Sequence, residues 1–458
     1  MSKRKFLVLL VVLTLLLGTT NSLSLAQEGE IRLTITCRCV AGGVNAVLVD
    51  WLNQSVIPSF EEAMAAQGKN VKVELVEFGG SDEQLKEQYA LDLGVGSGHD
   101  VFAFDGFWVP EFVDAGLLKP LEEVAGPVVN EWEGWSHIPA GIQAILGYQG
   151  KIYGIAAGTD VREIFYRTDV FQQAGIEVPW QPTSWEELLE TARKLKEAGV
   201  ETPLQINAGT AMGEATTMQG WFMVLLGAGH HMYDFEQNKW IVSSPAILDA
   251  LNFYKTVYVD EKLGDARLQL LADGRDRSFA AFAEGKIAML VEGDWFWRSA
   301  ILNHLDAETR NAVVSWAKMP AKEPGAGYKG QDFVTISGGT GWVLNPNTEH
   351  PEEAWALLAH MSSYEMQQLW QQVNPRISFR DDIPVAGDEV MSAMAEALLP
   401  LTTVRPMLPA YPKISYEAQL MTERVVSGEM SPEEAMEAYA EAVTELVGEE
   451  NVIRIPLE

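Results

Sequence analysis

Cysteine is scarce in this sequence: Cys37 and Cys39 are the only two among 458 residues. A disulfide scaffold or a cage of zinc-binding thiolates needs more cysteines, so both classes of protein are excluded. Histidine is also rare, with seven residues. His230 and His231 are adjacent and do not converge on one ion, and 273–276 lacks the closing glutamate of a calcium loop. We therefore predict no metal site and no cofactor.

Basic residues are few as well. The chain has 33 lysines and arginines against 64 aspartates and glutamates, a formal net charge of −31. Such a surface repels phosphate backbones and anionic head groups, which argues against nucleic acid as a partner. Apolar residues make up 47% of the chain and charged residues 21%, as in a folded globular protein. At roughly 100–200 residues per domain, the length suggests two or three domains.

The sequence lacks an apolar run long enough to span a membrane, which takes ~20 residues. The first apolar run, 6–17, is shorter than that. It follows three basic residues at 3–5 and precedes Ser24 and Ala26, which fit a cleavage site. This order predicts a secretory signal peptide over 1–26, the alternative being an uncleaved anchor. We therefore expect a protein exported to the periplasm or the extracellular face of the membrane and soluble after cleavage.

The two cysteines require a separate interpretation. A lipoprotein cysteine follows the apolar run directly, whereas Thr36 precedes Cys37 and charged residues intervene, so we expect no lipid attachment. Cys37 and Cys39 fall near the end of a predicted strand, where residues two apart point to the same side. A disulfide across so short a loop would be strained, so we predict two buried thiols, with a redox or metal role as the alternative.

Strand and helix patterns alternate in the first part of the chain. Apolar and polar residues alternate at 31–35 and 71–75, which predicts two strands, and 47–67 has the pattern of a helix. Residues 81–84 form a capping box, and 99–104 is typical of a buried parallel strand. This order predicts an α/β fold with an open sheet, in which ligands bind beyond the carboxyl ends of the strands. Those positions are 38–43, 79–81 and 105–108.

Capping signals predict further helices later in the chain. Thr183 with Glu186 forms a second capping box, and Ser244 and Ser431 each precede a proline that fits the first helical position. No repeat of fixed period and no low-complexity linker divides the chain. We therefore expect several crossings between the domains rather than one flexible linker.

Five stretches match a known family pattern in chain order. They are Asp100–Asp105 with Phe112–Leu121; Tyr148–Gly154 with Phe165–Phe171, Ala174–Gly175 and Thr183–Leu188; Phe282–Met289 with Glu292–Trp295; Ser337–Gly339 through Glu352–Trp355; and Arg405–Pro406 with Ser431–Ala435. With these stretches the chain resembles the extracellular solute-binding proteins of carbohydrate ABC importers, the relatives of maltodextrin-binding protein. Each stretch is a weak match alone, but the five span nearly all of the chain beyond the signal peptide.

The resemblance implies a two-lobe α/β fold of the periplasmic-binding-protein type. Each lobe would be an open, mostly parallel sheet flanked by helices, and the cleft would close by hinge motion. Three hinge crossings are expected, near 156–159, 337–341 and 404–406. The predicted first lobe is 27–156 plus 340–404, and the predicted second lobe is 157–339 plus 405–458.

The candidate ligand-binding residues combine ring faces with polar groups. Aromatic faces cover the C–H face of a sugar, and carboxylates and guanidiniums bind its hydroxyls. The chain has 14 tryptophans for the first task, although most tryptophans only pack in cores. Family position and strand ends together select twelve residues: Arg38, Ser81, Asp105, Trp108, Asp160, Arg162, Trp221, Trp295, Gly338, Gly339, Arg376 and Arg405.

Most of these residues have a structural alternative. Trp295 lies where the family often places a sugar-stacking aromatic, but it also suits packing within a lobe. Asp105 is a possible cap for the next helix, and Asp160 with Arg162 a possible hinge salt bridge. The two glycines suit hinge flexibility equally well, and the guanidiniums of Arg376 and Arg405 suit a seal between the lobes.

The resemblance implies a binding protein and not an enzyme. A monomer would capture a sugar or oligosaccharide in its cleft and deliver it to the permease subunits of an ABC importer, which works with an ATPase. A secreted glycoside hydrolase with paired carboxylates is the alternative from another class, although the chain has no nucleophile elbow, zinc-protease motif or phosphate-binding loop. A non-transport sugar sensor or adhesin is the third interpretation.

Overall fold

The computed structural model describes residues 29–457, and the predicted signal peptide, 1–26, lies outside them. The strands in this range, β1 to β17, are Ile31–Arg38, Val71–Phe78, Val101–Asp105, Gly147–Tyr148, Lys151–Ile152, Gly154–Thr159, Arg162–Arg167, Thr202–Gln205, Tyr233–Asp234, Lys239–Ser243, Ile287–Gly293, Val314–Ala317, Met319–Pro320, Phe333–Ser337, Gly339–Leu344, Thr402–Val404 and Val452–Arg454.

Helices surround the sheets on both sides. The α-helices of the described residues, α1 to α19, are Ala46–Trp51, Ile57–Ala66, Asp82–Gly94, Val109–Asp114, Leu121–Ala125, Ala140–Gln143, Thr168–Gln173, Trp185–Glu197, Phe222–Gly227, Pro245–Lys255, Ala266–Gln269, Gly274–Ala283, Trp295–Arg298, Ala307–Val313, Pro351–Met361, Tyr364–Val373, Glu389–Leu398, Tyr411–Val426 and Pro432–Val447. Within residues 29–457, none of them is both long and apolar enough to cross a bilayer.

A five-stranded sheet forms the centre of the first lobe, in the order β2-β1-β3-β15-β6. β1 pairs in parallel with β2 and β3, whereas β15 runs antiparallel to β3 and β6. Because β1, β2 and β3 run in the same direction, their carboxyl ends meet at one edge of the sheet. That edge carries Arg38, the turn at 79–81 and Asp105, as the sequence predicts.

A four-stranded sheet forms the centre of the second lobe, in the order β12-β7-β11-β8. β7 is antiparallel to both of its neighbours, and only β8 and β11 are parallel. The predicted two-lobe α/β architecture is confirmed, but the sheets are mixed rather than mostly parallel. β7 and β15, the two antiparallel strands, each follow a strand of another sheet after one or two residues.

The chain passes between the two lobes at short segments. Only 160–161 separate β6 of the first sheet from β7 of the second, and Gly338 alone separates β14 from β15. The third passage follows α16, whose Trp370 packs in the apolar core of the first lobe. The next helix, α17, packs through Met391 and Met394 with residues of the second sheet. The lobe limits stay a prediction. They assign α17 to lobe one, although α17 packs against residues of lobe two.

Helix starts follow the predicted capping signals in most cases. Ser81 and Ser431 each form a complete capping box, and the Ser244 hydroxyl accepts from the Ile247 N–H. The capping box predicted at Thr183 is wrong. The N-cap is Ser184, because its hydroxyl accepts from the N–H three residues on, while Thr183 binds the Glu187 side chain.

The prediction of two free thiols is also wrong. Cys37 and Cys39 form a disulfide, with their Cα atoms 5.3 Å apart and both residues buried. Residues two apart on a strand leave the chain on the same side, so the sulfurs start out close together. Here the N–H of Cys39 also donates to the carbonyl of Cys37, at 2.9 Å. That local turn brings the two side chains within bonding reach.

Candidate functional site

The carboxyl edge of the first sheet forms one wall of a cleft between the lobes. Arg38, at the end of β1, donates through Nε to the carbonyl of Gly80 at 2.8 Å, and its Nη1 lies 3.5 Å from Asp82. The hydroxyl of Ser81 accepts from a backbone N–H of α3 and is therefore occupied as a helix cap. Arg38 and Asp82 thus offer this wall's charged groups to the cleft, while Ser81 holds the helix in place.

Asp82 also interacts with the opposite wall. Its side chain is 59% exposed, and desolvation by the surrounding protein atoms raises its pKa. The charges of Arg38 and of Arg275, on α12 of the second lobe, act against this rise. At a nearby point the side chain of Glu83 touches Gly213 of the second lobe. The two walls therefore lie within electrostatic and van der Waals reach of each other.

Arg405 bridges the lobes at the end of β3. Its Nη2 is 2.7 Å from Asp105, its Nη1 is 3.1 Å from Glu214, and its guanidinium lies 4.3 Å from the centre of the Phe107 ring. The hydroxyl of Tyr411 donates to Glu214 at 2.6 Å. Burial raises the pKa of Asp105 to about 6, with Glu214 adding to the rise and Arg405 opposing it. Arg405 therefore contacts a carboxylate of each lobe, Asp105 and Glu214.

Asp160 and Arg162 form an ion pair at the first passage between the lobes. Arg162 also donates to the carbonyl of Ile336 at 2.9 Å, and Asp160 accepts from the N–H of Gly338 at 2.7 Å. Burial alone raises the pKa of Asp160, but Arg162 and the Gly338 N–H outweigh it, and the pKa is lowered. The structural alternative, a hinge salt bridge, accounts for these contacts. The Gly338 N–H is therefore not free for a ligand, and Gly339 is paired within β15.

The three predicted tryptophans differ sharply in accessibility. Trp108 is 4% exposed and packs edge-on against Phe104, with ring centres 5.2 Å apart, and Trp221 is 1% exposed. Neither ring offers a face to the cleft, so the structure does not support a ligand contact for them. Trp295 is half-buried, with the guanidiniums of Arg162 and Arg275 at 4.9 and 5.8 Å from its ring centre. Trp295 is the one of the three that remains placed for stacking.

Arg376 lies at the first passage between the lobes, on the first-lobe side. Its guanidinium approaches the backbone of Gly158 on β6, where an added Cβ would be 2.5 Å from Nη2. The backbone of Arg376 is held by the side chain of Gln371 on α16, through bonds of 2.8 and 3.0 Å. Burial lowers the pKa of Arg376 to about 10, and the nearby charge of Arg298 adds to this fall.

Comparison with known proteins identifies the family. A family model for bacterial extracellular solute-binding proteins matches residues 53–368, more than half of the chain. The chain belongs to this family. A binding protein of Brucella abortus (strain 2308) is 24% identical over 437 residues, covering 91% of this chain and 93% of its own.

Two crystal structures extend the comparison to the fold. An ABC transporter solute-binding protein of Thermotoga lettingae, bound with alpha-D-tagatose, is 27% identical with a TM-score of 0.75, covering 92% of this chain and 100% of its own. The GacH receptor of Streptomyces glaucescens, described unliganded and in complex with acarbose, is 24% identical with a TM-score of 0.76 and the same coverage. This solute-binding protein therefore shares their two-lobe fold.

Sequence reasoning missed several polar residues of the cleft. Glu214 and Arg275 are not among the predicted site residues, because only the folded chain brings them to the cleft. Arg275 forms a bidentate ion pair with Glu292, in which Nε and Nη2 each lie 2.7 Å from a carboxylate oxygen. Asp294 had a usable signal, since it directly precedes Trp295 in the family motif.

One group of metal-binding side chain types occurs within residues 29–457. His137, Asp381 and Asp382 have ligand atoms within 4.8 Å of one another at the surface of the first lobe. Asp382 already accepts hydrogen bonds from Nε and Nη2 of Arg380, at 2.9 and 2.8 Å, and this contact lowers the pKa of Asp382. The group is therefore accounted for as an ion-pair network of this solute-binding protein.

Proposed function

We propose that this protein captures a carbohydrate in the cleft between its lobes and delivers it to the permease of an ABC importer. The observation that carries the proposal is the composition of the cleft. One half-buried ring, Trp295, lies among guanidiniums and carboxylates supplied by both lobes. Ring faces bind the C–H face of a sugar, and charged groups bind its hydroxyls.

The comparisons support a sugar as the ligand class. The Thermotoga protein, which resembles this chain along nearly its whole length, was crystallised with alpha-D-tagatose. The identity and length of the sugar are not part of the proposal, because stacking and hydroxyl binding suit many glycans.

The proposed mechanism is non-catalytic. The sugar binds to one lobe, the other lobe closes over it, and the closed form docks on the permease. The sugar shifts the equilibrium only by its differential affinity for the closed form. The proposal includes export directed by residues 1–26 and a monomeric protein after cleavage, with no lipid on Cys37, whose sulfur is bonded to Cys39.

A sugar panel tests this function. Wild-type protein is mixed with D-glucose, D-tagatose, maltose, lactose and maltotriose, and melting temperature, tryptophan fluorescence and calorimetric heats are recorded. We expect at least one sugar to raise the melting temperature, by an amount that grows with the logarithm of its concentration relative to its Kd, and to be recovered unchanged by chromatography. Product release would favour the hydrolase instead, and no binding by any sugar would reject the proposed function.

A further inference from the structure

Arg376 differs from the other arginines around the cleft. Arg162, Arg275 and Arg405 each bind a carboxylate. The guanidinium of Arg376 has no hydrogen bond and no ion pair to any residue in 29–457, and its Nε is buried without a partner. Acidic groups outnumber basic ones almost two to one in this chain, so a shortage of carboxylates does not explain it.

Asp294 presents the complementary case on the second lobe. It is completely buried at the end of β11, and its Oδ2 accepts from Arg298 at 3.1 Å. Its Oδ1 is buried and has no hydrogen-bond partner in the described part of the chain. Arg298 also donates to Asn374 at 3.1 Å, which brings the Asp294 side of the cleft next to the segment of Arg376.

The two unpartnered groups are anchored to different lobes. Gln371 of α16 holds Arg376, and α16 packs in the core of the first lobe. Asp294 directly follows β11 of the second lobe, and its N–H donates to Val161 at 3.1 Å. The two groups lie close enough for each to affect the pKa of the other. Because they are anchored to different lobes, a hinge motion would change the distance between this acceptor and this donor.

A hydroxyl is the group that satisfies both partners. Buried polar groups without partners are costly, and a hydroxyl both donates and accepts. A carboxylate would bind Arg376 but repel Asp294, and an amine would do the reverse. We infer that Asp294 and Arg376 form a subsite that closes on one hydroxyl of a neutral sugar, which donates to Asp294 and accepts from Arg376. This inference rests on the proposed function.

Analogues and variants test the subsite together. The tightest-binding sugar of the panel above and its monodeoxy and monofluoro analogues are titrated against wild type, Arg376→Met, Asp294→Asn and the control Arg277→Met. Arg277 is 60% exposed and lies on α12. For the parent sugar we expect roughly 10- to 100-fold weaker binding by each cleft variant, from the loss of a charge-assisted hydrogen bond, and no change in the control.

The decisive result is the pattern across the analogues. One deoxy analogue, which lacks the hydroxyl bound by the subsite, should bind wild type and Arg376→Met with equal affinity. The fluoro analogue at the same position accepts a hydrogen bond but does not donate one, so its affinity should be the same for wild type and Asp294→Asn. Equal losses for every analogue would indicate that the pair only positions the lobes and would overturn the subsite. If Arg376→Met fails to fold, Arg376→Gln, which keeps a polar side chain without the charge, replaces it. No sugar binding by wild type would reject the proposed function, whereas sugar binding with unaffected variants rejects the subsite alone.

Discussion

At the residue scale, accessibility separates three tryptophans that are all candidates from the sequence. Trp108, Trp221 and Trp295 all follow or begin loops, and only the family motif around Trp295 favours a stacking ring over a core ring. Trp295 stays half-buried because it lies over Gly293, which has no side chain to displace it. The neighbouring Gly293-Asp294 pair in the family motif was a signal for this site. The burial of Trp108 depends on Phe104 and Tyr89, which come together only in the fold.

Substituting these two tryptophans should separate binding from stability. We expect Trp295→Ala to weaken binding of the tightest panel sugar by about 1–3 kcal/mol, through loss of a stacking face. Its melting temperature should change little. Trp108→Ala, as the matched control, should lower the free energy of unfolding by about 3–5 kcal/mol, because it leaves a cavity in the core. Calorimetric titration and urea unfolding measure the two effects, and unchanged affinity of Trp295→Ala would remove Trp295 from the site.

The raised pKa of Asp105 makes stability depend on pH. The pKa moves from 3.8 to about 6, and the side chain is 25% exposed. Between these values the folded protein holds a proton that the unfolded chain has lost. The free energy of unfolding should therefore fall as the pH rises through this window, by about 3 kcal/mol at most, and level off above it.

Asp105→Asn isolates this contribution, because the amide does not ionise. Urea unfolding of both proteins between about pH 4 and pH 7 should show a smaller fall for the variant. Parallel curves would show that Asp105 titrates at its ordinary pKa.

At the element scale, local rules predict helix starts better than they predict the shape of the helices. The Ser81 and Ser431 capping boxes need only residues three apart, and both form. The π-helical segments do not follow from any such rule. One of them, Thr216–Trp221, carries Gln219, which accepts from Arg162 at 3.3 Å, so a local irregularity contributes to the hinge contacts. The Cys37–Cys39 disulfide was missed because a loop-length rule took no account of the turn between the two residues.

Gly220 tests the packing of that π-helical segment. A Cβ there would meet the backbone carbonyl of Asn207 and lie 2.7 Å from the Tyr254 hydroxyl. A backbone carbonyl cannot move aside as a flexible side chain can. We therefore expect Gly220→Ala to lower the free energy of unfolding by about 1–3 kcal/mol. Gly141, on α6, is the control, since a Cβ there meets nothing within 4 Å. Gly141→Ala should leave stability unchanged or raise it by up to about 1 kcal/mol. Equal unfolding midpoints for the two variants would contradict this account of the segment.

At the scale of the whole molecule, alternating strand and helix patterns predict the α/β class, and the family resemblance predicts the two lobes. The direction of the strands was not predictable. β7 and β15 run antiparallel to their neighbours, and hydrophobic periodicity carries no information on strand direction. The same holds for α17, whose amphipathic pattern gives no indication of which lobe it packs against.

Arg405 tests how strongly the lobes are joined. Removing one partner of a buried ion pair leaves the others uncompensated, so we expect Arg405→Gln to lower the free energy of unfolding by about 3–5 kcal/mol. Small-angle scattering should show a larger radius of gyration, because the guanidinium that contacts carboxylates of both lobes is then absent. Arg454→Gln is the control: its pair with Glu437 is exposed on both sides and should contribute about 0–1 kcal/mol. A variant as stable and compact as wild type would show that other contacts join the lobes.

The pairing of β17 with β10 bears on the order in which the protein folds. Val452 lies beside Trp240 in the sheet, so β17 completes a layer with a strand that lies far from it in the sequence. Contacts this distant in sequence form slowly, because a long stretch of chain must be closed before they can stabilise the structure. We therefore expect this layer to be among the last parts of the protein to form.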